Sequence, residues 1–275
     1  MTRIALFQMT TGIDPQANAN AICDAVAKAA EGGAQMLFTP EMAGLLDRNR
    51  KRATPHIVPE ADNLVLRQVS AAARDHGIWV ALGSLAVAGE NGRWANRSLL
   101  LAPDGTVAAR YDKIHMFDVD LASGESWRES NAYEPGTQVV AAQTPLGTLG
   151  LAVCYDMRFP ALFSALGDHA CNAISIPAAF TVPTGKAHWH LLLRARAVEA
   201  SAYVIATAQV GDHEDGRSTY GHSLVVDPWG DVVLDMGADG PGIGFAELSA
   251  ERIADVRRQL PSLANRRNIP KSTSL

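Results

Sequence analysis

Residues 149–160 read Leu149-Gly150-Leu151-Ala152-Val153-Cys154-Tyr155-Asp156-Met157-Arg158-Phe159-Pro160, an apolar run that ends at a cysteine and is followed at once by polar and charged side chains. A short apolar run of this kind predicts a buried strand. We therefore expect Cys154 at the end of that strand, where the chain turns toward solvent. A thiol in such a place can act as a nucleophile if a base and a cation reach it.

Two other apolar or strand-like stretches end at a residue of suitable type. One stops at Glu41 and the other at Lys113; they are Met36-Leu37-Phe38-Thr39-Pro40 and Ala109-Arg110-Tyr111-Asp112. Each residue alone has a plainer interpretation: a packed core thiol, a turn or cap carboxylate, and a solvated surface amine. Their shared position favours function, because strand ends that open into loops collect catalytic side chains in α/β sheets.

Strand-like and helix-like stretches alternate along the chain. We predict helices over 15–31, 61–76, 161–166, 187–200 and 253–260. We predict strands over 3–9, 35–39, 78–87, 94–102, 106–111, 150–153, 173–176, 203–209, 223–226 and 232–235. The glycine-rich stretch 237–244 lacks the spacing of a phosphate loop and is predicted to be a surface loop. This alternation predicts an α/β fold with mixed layers, in which hairpins add antiparallel pairs.

Length and composition are those of a globular protein. The chain has 275 residues, of which 47% are hydrophobic and 19% charged, so it can bury a sizeable core. No low-complexity linker interrupts it, which favours one domain over 1–275. The polar tail, about 261–275, is expected to pack on a partner subunit or to stay mobile.

Charge and hydropathy exclude several function classes. The net charge of −5 gives no global attraction to nucleic acid. The basic cluster at 48–52 is more typical of a solvated surface than of a phosphate-binding or targeting patch. No apolar run approaches the length of a membrane span, and the N-terminus lacks a signal-peptide core. We expect a cytoplasmic protein that binds neither membranes nor nucleic acid.

The sequence offers no metal or cofactor motif. Cys23, Cys154 and Cys171 are too few and too scattered for a disulfide framework or a CxxC site. His188 and His190 lie two apart on a predicted helix, so they point to different sides and are poorly placed to ligate one ion together; a structural role is favoured. We expect neither a metal nor a cofactor.

The three candidate residues suffice for amide hydrolysis. Glu41 can take the proton of the Cys154 thiol, and Lys113 can stabilise the thiolate and then the oxyanion of a tetrahedral adduct. The backbone N–H of Tyr155, just after the nucleophile, is a natural second oxyanion donor. Protonated Glu41 can then protonate a leaving amine and later activate water against the thioester.

The motifs around these residues resemble those of the nitrilase, or carbon–nitrogen hydrolase, superfamily, in the same order and from about residue 3 to 270. They are Thr39-Pro40-Glu41, Tyr111-Asp112-Lys113-Ile114-His115-Met116-Phe117-Asp118-Val119-Asp120, and Cys154-Tyr155-Asp156-Met157-Arg158-Phe159-Pro160. The resemblance implies Glu41 as general base, Lys113 as oxyanion-stabilising lysine and Cys154 as nucleophile. Arg128-Glu129-Ser130, followed by Pro135-Gly136, matches the segment of the auxiliary glutamate, which implies that role for Glu129. The implied fold is a four-layer αββα sandwich, and the implied assembly is a homodimer.

Within the superfamily, three segments resemble amidases that act on a small α-keto acid amide. They are Thr184-Gly185-Lys186-Ala187-His188-Trp189, Leu193-Arg194-Ala195-Arg196-Ala197-Val198-Glu199 and Tyr220-Gly221-His222-Ser223-Leu224-Val225-Val226-Asp227-Pro228-Trp229-Gly230. The resemblance favours deaminated glutathione as the small-molecule substrate. An omega-amidase acting on α-ketoglutaramate, an N-carbamoyl amino acid amidase and a nitrilase are the alternatives. A non-catalytic interaction protein on this scaffold is disfavoured, because all three catalytic types are present.

Two features bear on substrate detail. Ala178-Ala179-Phe180-Thr181 stands where the branch often has Ser-Ala-Phe-Gly, at a strand end expected to border the pocket. A substrate carboxylate needs a cation, and Arg158, four residues after the nucleophile, is the candidate because a guanidinium suits bidentate carboxylate binding. The alternative is a structural ion pair of Arg158 with Asp156.

Overall fold

The computed structural model describes residues 1–89, 91–122, 124 and 126–270. Its strands, in chain order, are β1 (Thr2–Gln8), β2 (Met36–Phe38), β3 (Trp79–Ala88), β4 (Trp94–Leu101), β5 (Val107–Asp112), β6 (Asp118–Asp120), β7 (Ser126–Arg128), β8 (Val140–Thr144), β9 (Gly147–Leu151), β10 (Ala173–Ser175), β11 (Tyr203–Ala206), β12 (Val210–Asp212), β13 (Ser218–Tyr220), β14 (Leu224–Val226), β15 (Val232–Asp235) and β16 (Gly242–Leu248). Its α-helices are α1 (Pro15–Glu31), α2 (Arg50–Ala53), α3 (Leu64–His76), α4 (Pro160–Asp168), α5 (Val182–Ala200) and α6 (Ala250–Gln259). Short 3-10 helices cover Thr54–His56, Glu60–Asp62, Glu129–Asn131 and Cys154–Arg158.

The strands form two large sheets and two small hairpins. The first sheet has the order β16-β1-β2-β3-β4-β5, and the second β15-β14-β11-β10-β9-β8. Parallel pairs lie at the centre of each sheet. In the first sheet β2 is parallel to both of its neighbours, β1 and β3, and in the second β10 is parallel to both of its neighbours, β9 and β11. The remaining pairs of these two sheets are antiparallel, as the mixed α/β prediction required.

The two sheets pack face to face and are covered by helices on the outside. Ile4 and Leu6 of β1 belong to one core with Leu149 and Leu151 of β9, whereas Ala5 faces the opposite way, into a core shared with α1 and α3. Successive side chains of a strand point to opposite faces, so this alternation places one sheet face inward and one under helices. Helices α4 and α5 cover the outer face of the second sheet. The predicted αββα sandwich is confirmed.

Local signals in the sequence explain where the first helices begin and end. The Asp14 side chain accepts a hydrogen bond from Gln16 N at 2.9 Å and caps the start of α1, and Gly32 follows the last helical residue, Glu31. Asn63 caps α3 in the same way through Leu66 N at 3.0 Å. The predicted helix over 61–76 therefore begins three residues late, after a 3-10 turn.

Some sequence predictions were wrong. The surface loop predicted over 237–244 gives way at Gly242 to β16, which pairs antiparallel with the whole of β1. Helix α5 begins at Val182, five residues before the predicted start, because Pro183 is tolerated in a first helical turn. Strand β8 and the two small hairpins, β6–β7 and β12–β13, were not predicted.

The end of the described chain lies against α4. Arg266 Nη1 donates to Ser164 O and to Asp168 Oδ1, both at 2.7 Å. The last part of the predicted tail, 271–275, lies outside the described residues, and the prediction of a partner subunit for this tail stays a prediction. Within the described ranges, none of the helices has the length and apolarity needed to cross a bilayer.

Candidate active site

Three strand ends deliver the predicted side chains to one cavity. Glu41 follows β2, Lys113 follows β5, and Cys154 follows β9, so the first two come from one sheet and the third from the sheet facing it. All three are buried, with 4%, 2% and 7% of their surface exposed. Together with Glu129 they line a cavity of about 930 Å³. The structure thus brings together every side chain that the sequence proposed for catalysis.

Lys113 lies between two carboxylates. Its Nζ is 3.0 Å from Glu41 Oε1 and 2.8 Å from Glu129 Oε2. Burial by itself lowers the pKa of a lysine, but the charges of Glu129 and Glu41 outweigh it and hold the pKa of Lys113 well above its usual range. The ammonium is therefore permanently charged, at a position where a water-excluded cation is electrostatically strong.

Glu41 stays ionised for a related reason. Burial raises its pKa, but the Lys113 charge and hydrogen bonds from Cys154, Lys113 and the Ala179 N–H bring the pKa of Glu41 below its usual value. The Ala179 bond, to Oε2, is 2.9 Å long. A carboxylate that accepts several hydrogen bonds is held both in charge and in orientation.

Cys154 is held as a neutral thiol. Burial first, and then the negative charge of Glu41, raise the pKa of Cys154 well above its usual range. The thiol therefore keeps its proton beside the ionised Glu41 carboxylate. The backbone of Cys154 has φ of 49°, a conformation that non-glycine residues rarely adopt and that often marks functional sites. Its N–H donates to Pro177 O at 2.9 Å, which fixes this turn.

Asn96 completes the buried cluster, and sequence reasoning missed it. Its Nδ2 donates to Glu41 Oε1 at 2.9 Å and to Glu129 Oε1 at 3.1 Å. Asn96 sits fully buried on β4, and its backbone carbonyl accepts a hydrogen bond from Lys113 N at 3.0 Å. The sequence offered little signal, because Asn96 stands beside Arg97 and Ser98 in its strand; only its burial shows that the amide requires polar partners.

Glu129 is fixed from the backbone as well. Phe117 N donates to its Oε2 at 2.7 Å, and Phe117 follows Lys113 by only four residues. The segment that carries Lys113 therefore also orients the carboxylate that neutralises it.

The turn that carries Glu41 packs against a bulge in β3. A Cβ on Gly83 would lie 2.1 Å from Thr39 O and 2.3 Å from Pro40 O. Gly83 N donates to Thr39 Oγ1 at 2.9 Å, and the register of β3 against β4 shifts between Leu82 and Leu85. A side chain at position 83 would push the catalytic carboxylate out of place, so the turn depends on this glycine.

Asp156 joins the lysine and cysteine segments. Oδ2 accepts from the Tyr111 hydroxyl at 2.7 Å and from Val153 N at 2.9 Å, while Oδ1 lies 2.7 Å from His115 Nδ1. The alternative of an Arg158–Asp156 ion pair is therefore wrong: these partners, and not Arg158, occupy the carboxylate.

Arg158 is not among the described residues that line the cavity. Its Nη2 lies 3.3 Å from His188 Nδ1, and its guanidinium packs over the rings of Tyr155 and Phe180, at 5.8 and 5.4 Å from the centroids. Both rings do line the cavity. Arg158 is thus packed beside lining residues, and its predicted role in substrate binding stays a prediction.

Other arginines do line the cavity, namely Arg48, Arg50, Arg128 and Arg217. Arg217 forms an ion pair with Asp215 at 2.7 Å and stacks over the Trp127 ring at 5.1 Å. Asp215 Oδ2 also accepts from Arg48 N at 2.9 Å, which ties the β12–β13 hairpin to the basic cluster. Arg48 and Arg50, two arginines of the cluster at 48–52, are exposed and also line the cavity.

The strand end at residues 178–181 borders the cavity as expected. Ala179, Phe180 and Thr181 all line it, and the Ala179 N–H reaches Glu41. Tyr155 also lines the cavity and stands second in the 3-10 helix that Cys154 begins, where backbone N–H groups lack helical partners.

Comparison with known proteins agrees with this geometry. The family model described as carbon-nitrogen hydrolase matches residues 3–258. The chain belongs to the carbon-nitrogen hydrolase family. The resemblance to the nitrilase superfamily is confirmed, and the protein is a hydrolase acting on carbon–nitrogen bonds other than peptide bonds.

Individual relatives are similar over most of the chain. The deaminated glutathione amidase of Yersinia enterocolitica is 39% identical over 267 residues, which are 96% of this chain and 92% of that protein. The crystal structure of the Caenorhabditis elegans NitFhit protein superposes with a TM-score of 0.89 at 35% identity, covering 97% of this chain and 65% of that one. A mutant amidase of Nesterenkonia sp. AN1, with acrylamide added at its active-site cysteine, has a TM-score of 0.78 at 29% identity, covering 95% and 98%.

Proposed function

We propose that this protein is an amidase that hydrolyses deaminated glutathione through a thioester on Cys154. The observation that carries the proposal is the buried cluster in which Glu41 accepts hydrogen bonds from the Lys113 ammonium at 3.0 Å and from Asn96 at 2.9 Å, in the cavity that Cys154 also lines. The nucleophile, the general base and the cation that stabilises the oxyanion can therefore act on the same acyl group of a substrate. The name of the Yersinia relative, at 39% identity, supports the choice of substrate.

The first half-reaction forms the thioester. Sγ of Cys154 attacks the amide carbonyl carbon while Glu41 takes the thiol proton. Because the pKa of Cys154 is raised and that of Glu41 is lowered, no thiolate accumulates beforehand, and proton transfer accompanies attack. The carbonyl oxygen becomes an oxyanion that Lys113 Nζ and the Tyr155 N–H receive, and removing one such donor typically costs about 3 kcal/mol of transition-state stabilisation.

The second half-reaction releases the acid. Collapse of the adduct breaks the carbon–nitrogen bond, and protonated Glu41 gives its proton to the leaving amine. The carboxylate then takes a proton from water as that water attacks the thioester, and the Cys154 thiol is regenerated on collapse. One amide and one water become one acid and one amine, with no other reactant.

Glu129 acts through Lys113. Its two oxygens lie 2.8 and 3.1 Å from Lys113 Nζ, and its charge helps keep that lysine protonated despite full burial. We assign it as a positioning residue, because a loss of Glu129 leaves the nucleophile and the base in place but alters the cation that receives the oxyanion.

The size and charge of the cavity support a substrate larger than a simple amide. About 930 Å³ lies near the upper end of small-molecule pockets and accommodates a tripeptide-sized molecule with two carboxylates. Arg217 and Arg48 stand among its lining residues, and guanidinium groups suit carboxylates. We assign Arg217 as the receiver of a substrate carboxylate and keep Arg158, which packs over two lining rings, as the alternative.

A substrate panel tests the proposal. Deaminated glutathione, α-ketoglutaramate, an N-carbamoyl amino acid and a nitrile are compared by kcat/KM, with Cys154→Ala as the inactive variant and Cys171→Ala, a buried thiol outside the cavity, as the matched control. Deaminated glutathione should rank first, and mass spectrometry should find an acyl adduct on Cys154 alone. A nitrile or carbamoyl preference overturns the substrate class, and turnover by Cys154→Ala overturns the nucleophile.

Three further assignments accompany this function. We propose that residues 1–275 act as a single hydrolase domain, that two chains form a homodimer, and that the enzyme works in the cytoplasm on a small-molecule amide without a cofactor. The absence of nucleic-acid or membrane partners is proposed from the net charge of −5 and the lack of a membrane-length apolar run in the sequence. Sedimentation of the purified chain checks the dimer.

A further inference from the structure

Three side chains from separate elements converge on the outer side of the second sheet, away from the catalytic cavity. His190 lies on α5, His222 in the loop between β13 and β14, and Asp235 at the end of β15. One nitrogen of each histidine and one oxygen of the carboxylate all lie within 4.8 Å of one another. None of the three residues lines the cavity or contacts Glu41, Lys113 or Cys154 in the described structure.

The distances within this group are close to those of ligands around one ion. His190 Nε2 is 2.9 Å from Asp235 Oδ2, and His222 Nδ1 is 2.9 Å from Asp235 Oδ1. Tetrahedral zinc with nitrogen and oxygen ligands at about 2.0 Å sets neighbouring ligand atoms about 3.3 Å apart. Each His–Asp pair differs from that separation by only a few tenths of an ångström, and the whole set lies within 4.8 Å, so side-chain movements of up to about 1.5 Å convert these hydrogen bonds into coordination.

The backbone around the group is fixed before any ion arrives. His222 has φ of 56°, its N–H donates to Gly237 O at 2.7 Å, and its carbonyl accepts from Nε1 of the fully buried Trp189 at 2.8 Å. Asp235 Oδ1 also accepts from Gly237 N at 2.9 Å. Outer hydrogen bonds of this kind orient ligands and strengthen metal sites.

The His222 ring is held as well, because it stacks on Tyr220 with centroids 4.5 Å apart. Solvent reaches the group, since the side chains of His190, His222 and Asp235 are 36%, 23% and 33% exposed. An ion could enter directly, and water could fill the fourth position that three protein ligands leave open.

We propose that His190, His222 and Asp235 form a binding site for a divalent transition-metal ion of the zinc type. Two imidazole nitrogens and one carboxylate are the ligand set that such ions favour over calcium or magnesium. The sequence did not reveal the site because its visible histidine pair is His188 and His190, of which only His190 is a member; its partners, His222 and Asp235, come from two later elements. Lys186 and Arg194, one turn away on α5, are the nearby cations of the helix, and Arg194 Nε is directed to Gly230 O at 2.7 Å.

Metal titration of the full chain tests the site. The protein carries Cys154→Ala, so that the active-site thiol cannot bind the ion, and any histidine tag is removed. Zn²⁺ is added from a metal buffer during calorimetry, and thermal unfolding is followed in parallel. We expect saturable binding of one ion per chain and a rise in Tm, because a ligand that binds only the folded state stabilises it.

Three further substitutions locate the ion. His190→Ala and Asp235→Asn should each weaken Zn²⁺ binding by about tenfold or more, whereas His188→Ala, two residues away on the same helix, should bind as before. Asp235→Asn keeps the side-chain size, so its result does not depend on a cavity left by truncation. The proposal is overturned if Zn²⁺ does not bind saturably, or if the His190→Ala and Asp235→Asn variants bind it as tightly as the parent Cys154→Ala protein. It is also overturned if His188→Ala weakens Zn²⁺ binding as much as those two substitutions do.

Discussion

Asp156 accepts a hydrogen bond of 2.7 Å from the hydroxyl of Tyr111, and this contact joins the strand that leads to Lys113 with the turn that begins at Cys154. Both residues are buried, at 0% and 1% exposure. The two facing sheets are therefore connected by a polar contact just behind the catalytic cluster. It holds the strand before Lys113 against the turn after Cys154.

Replacing Asp156 should cost more than replacing its partner. Asp156→Ala leaves the Tyr111 hydroxyl, the Val153 N–H and the His115 N–H without their acceptor, a loss of about 3 kcal/mol or more because buried unpaired donors are costly. Tyr111→Phe removes one donor and should cost about 1 kcal/mol. Urea unfolding measures both, with the exposed Asp168→Ala as control. Equal losses for the two buried variants would contradict the role of Asp156.

Asn96→Asp should damage catalysis through charge. The new carboxylate would lie about 3 Å from oxygens of both Glu41 and Glu129, and like charges at that distance raise carboxylate pKa values. We expect kcat/KM to fall by about 100-fold as the base becomes protonated, with the acid limb of the pH profile moving upward. Asn20→Asp, on the exposed face of α1, is the control. An unmoved acid limb would show that Asn96 does not act on the base.

Arg217→Gln separates charge recognition from catalysis. We expect the KM for deaminated glutathione to rise by about tenfold, since a hydrogen bond to a charged group is worth about 1.5–3 kcal/mol, while the KM for a neutral amide stays unchanged. Arg158→Gln is the comparison, because that side chain packs over the Tyr155 and Phe180 rings. A selective effect in Arg158→Gln, and none in Arg217→Gln, would exchange the two assignments.

The sequence predicted those parts of the molecule that local chemistry determines. Helix α1 agrees with its prediction residue for residue because Asp14, Pro15 and Gly32 mark its ends. The catalytic side chains follow strands, and strand ends that open into loops collect such side chains in α/β folds; that the ends come from two facing sheets was not predicted. The roles assigned to them from sequence remain proposals.

The features that the sequence did not reveal depend on contacts between segments far apart in the chain. Strand β16 is rich in glycine and has little strand propensity of its own, but it is stabilised by pairing with β1, about 240 residues earlier. Asn96 resembles an ordinary polar strand residue until β2 brings Glu41 beside it. Arg217 reaches the cavity on a hairpin whose position follows only from the tertiary fold.

The pH profile of kcat/KM should be a broad plateau. The pKa of Glu41 lies below its ordinary 4.5, so its ionised form, and the stability that goes with it, are complete above 4.5 and are lost as the pH falls through the lower folded value. The pKa of Lys113 lies above 10.5, so its contribution is complete below 10.5 and is lost as the pH rises through the higher folded value.

The state of Cys154 gives a more specific prediction for the pH dependence of kcat/KM. Its pKa is raised well above 9.0, so the thiol stays protonated across the plateau and kcat/KM should not increase between about pH 7 and 9, as it would if a free thiolate of ordinary pKa were the nucleophile. Initial rates at low substrate concentration measure this. A several-fold rise over that interval would indicate a preformed thiolate and remove the proton transfer to Glu41.

Gly83→Ala tests whether the bulge in β3 positions the base. The added Cβ would meet Thr39 O at 2.1 Å and Pro40 O at 2.3 Å, and both are rigid backbone atoms, so the turn that carries Glu41 must move. A misplacement of about 1 Å can cost about 100-fold in rate, and overpacking costs about 1–3 kcal/mol in stability. Gly242→Ala is the matched control, since a Cβ there meets nothing within 4 Å.

We expect kcat to fall in Gly83→Ala even where Tm shows the protein folded at the assay temperature, because the thiol would then lack a correctly placed acceptor. Unchanged kcat together with an unchanged Tm would mean that the turn tolerates the side chain and that Glu41 is positioned by its hydrogen bonds alone.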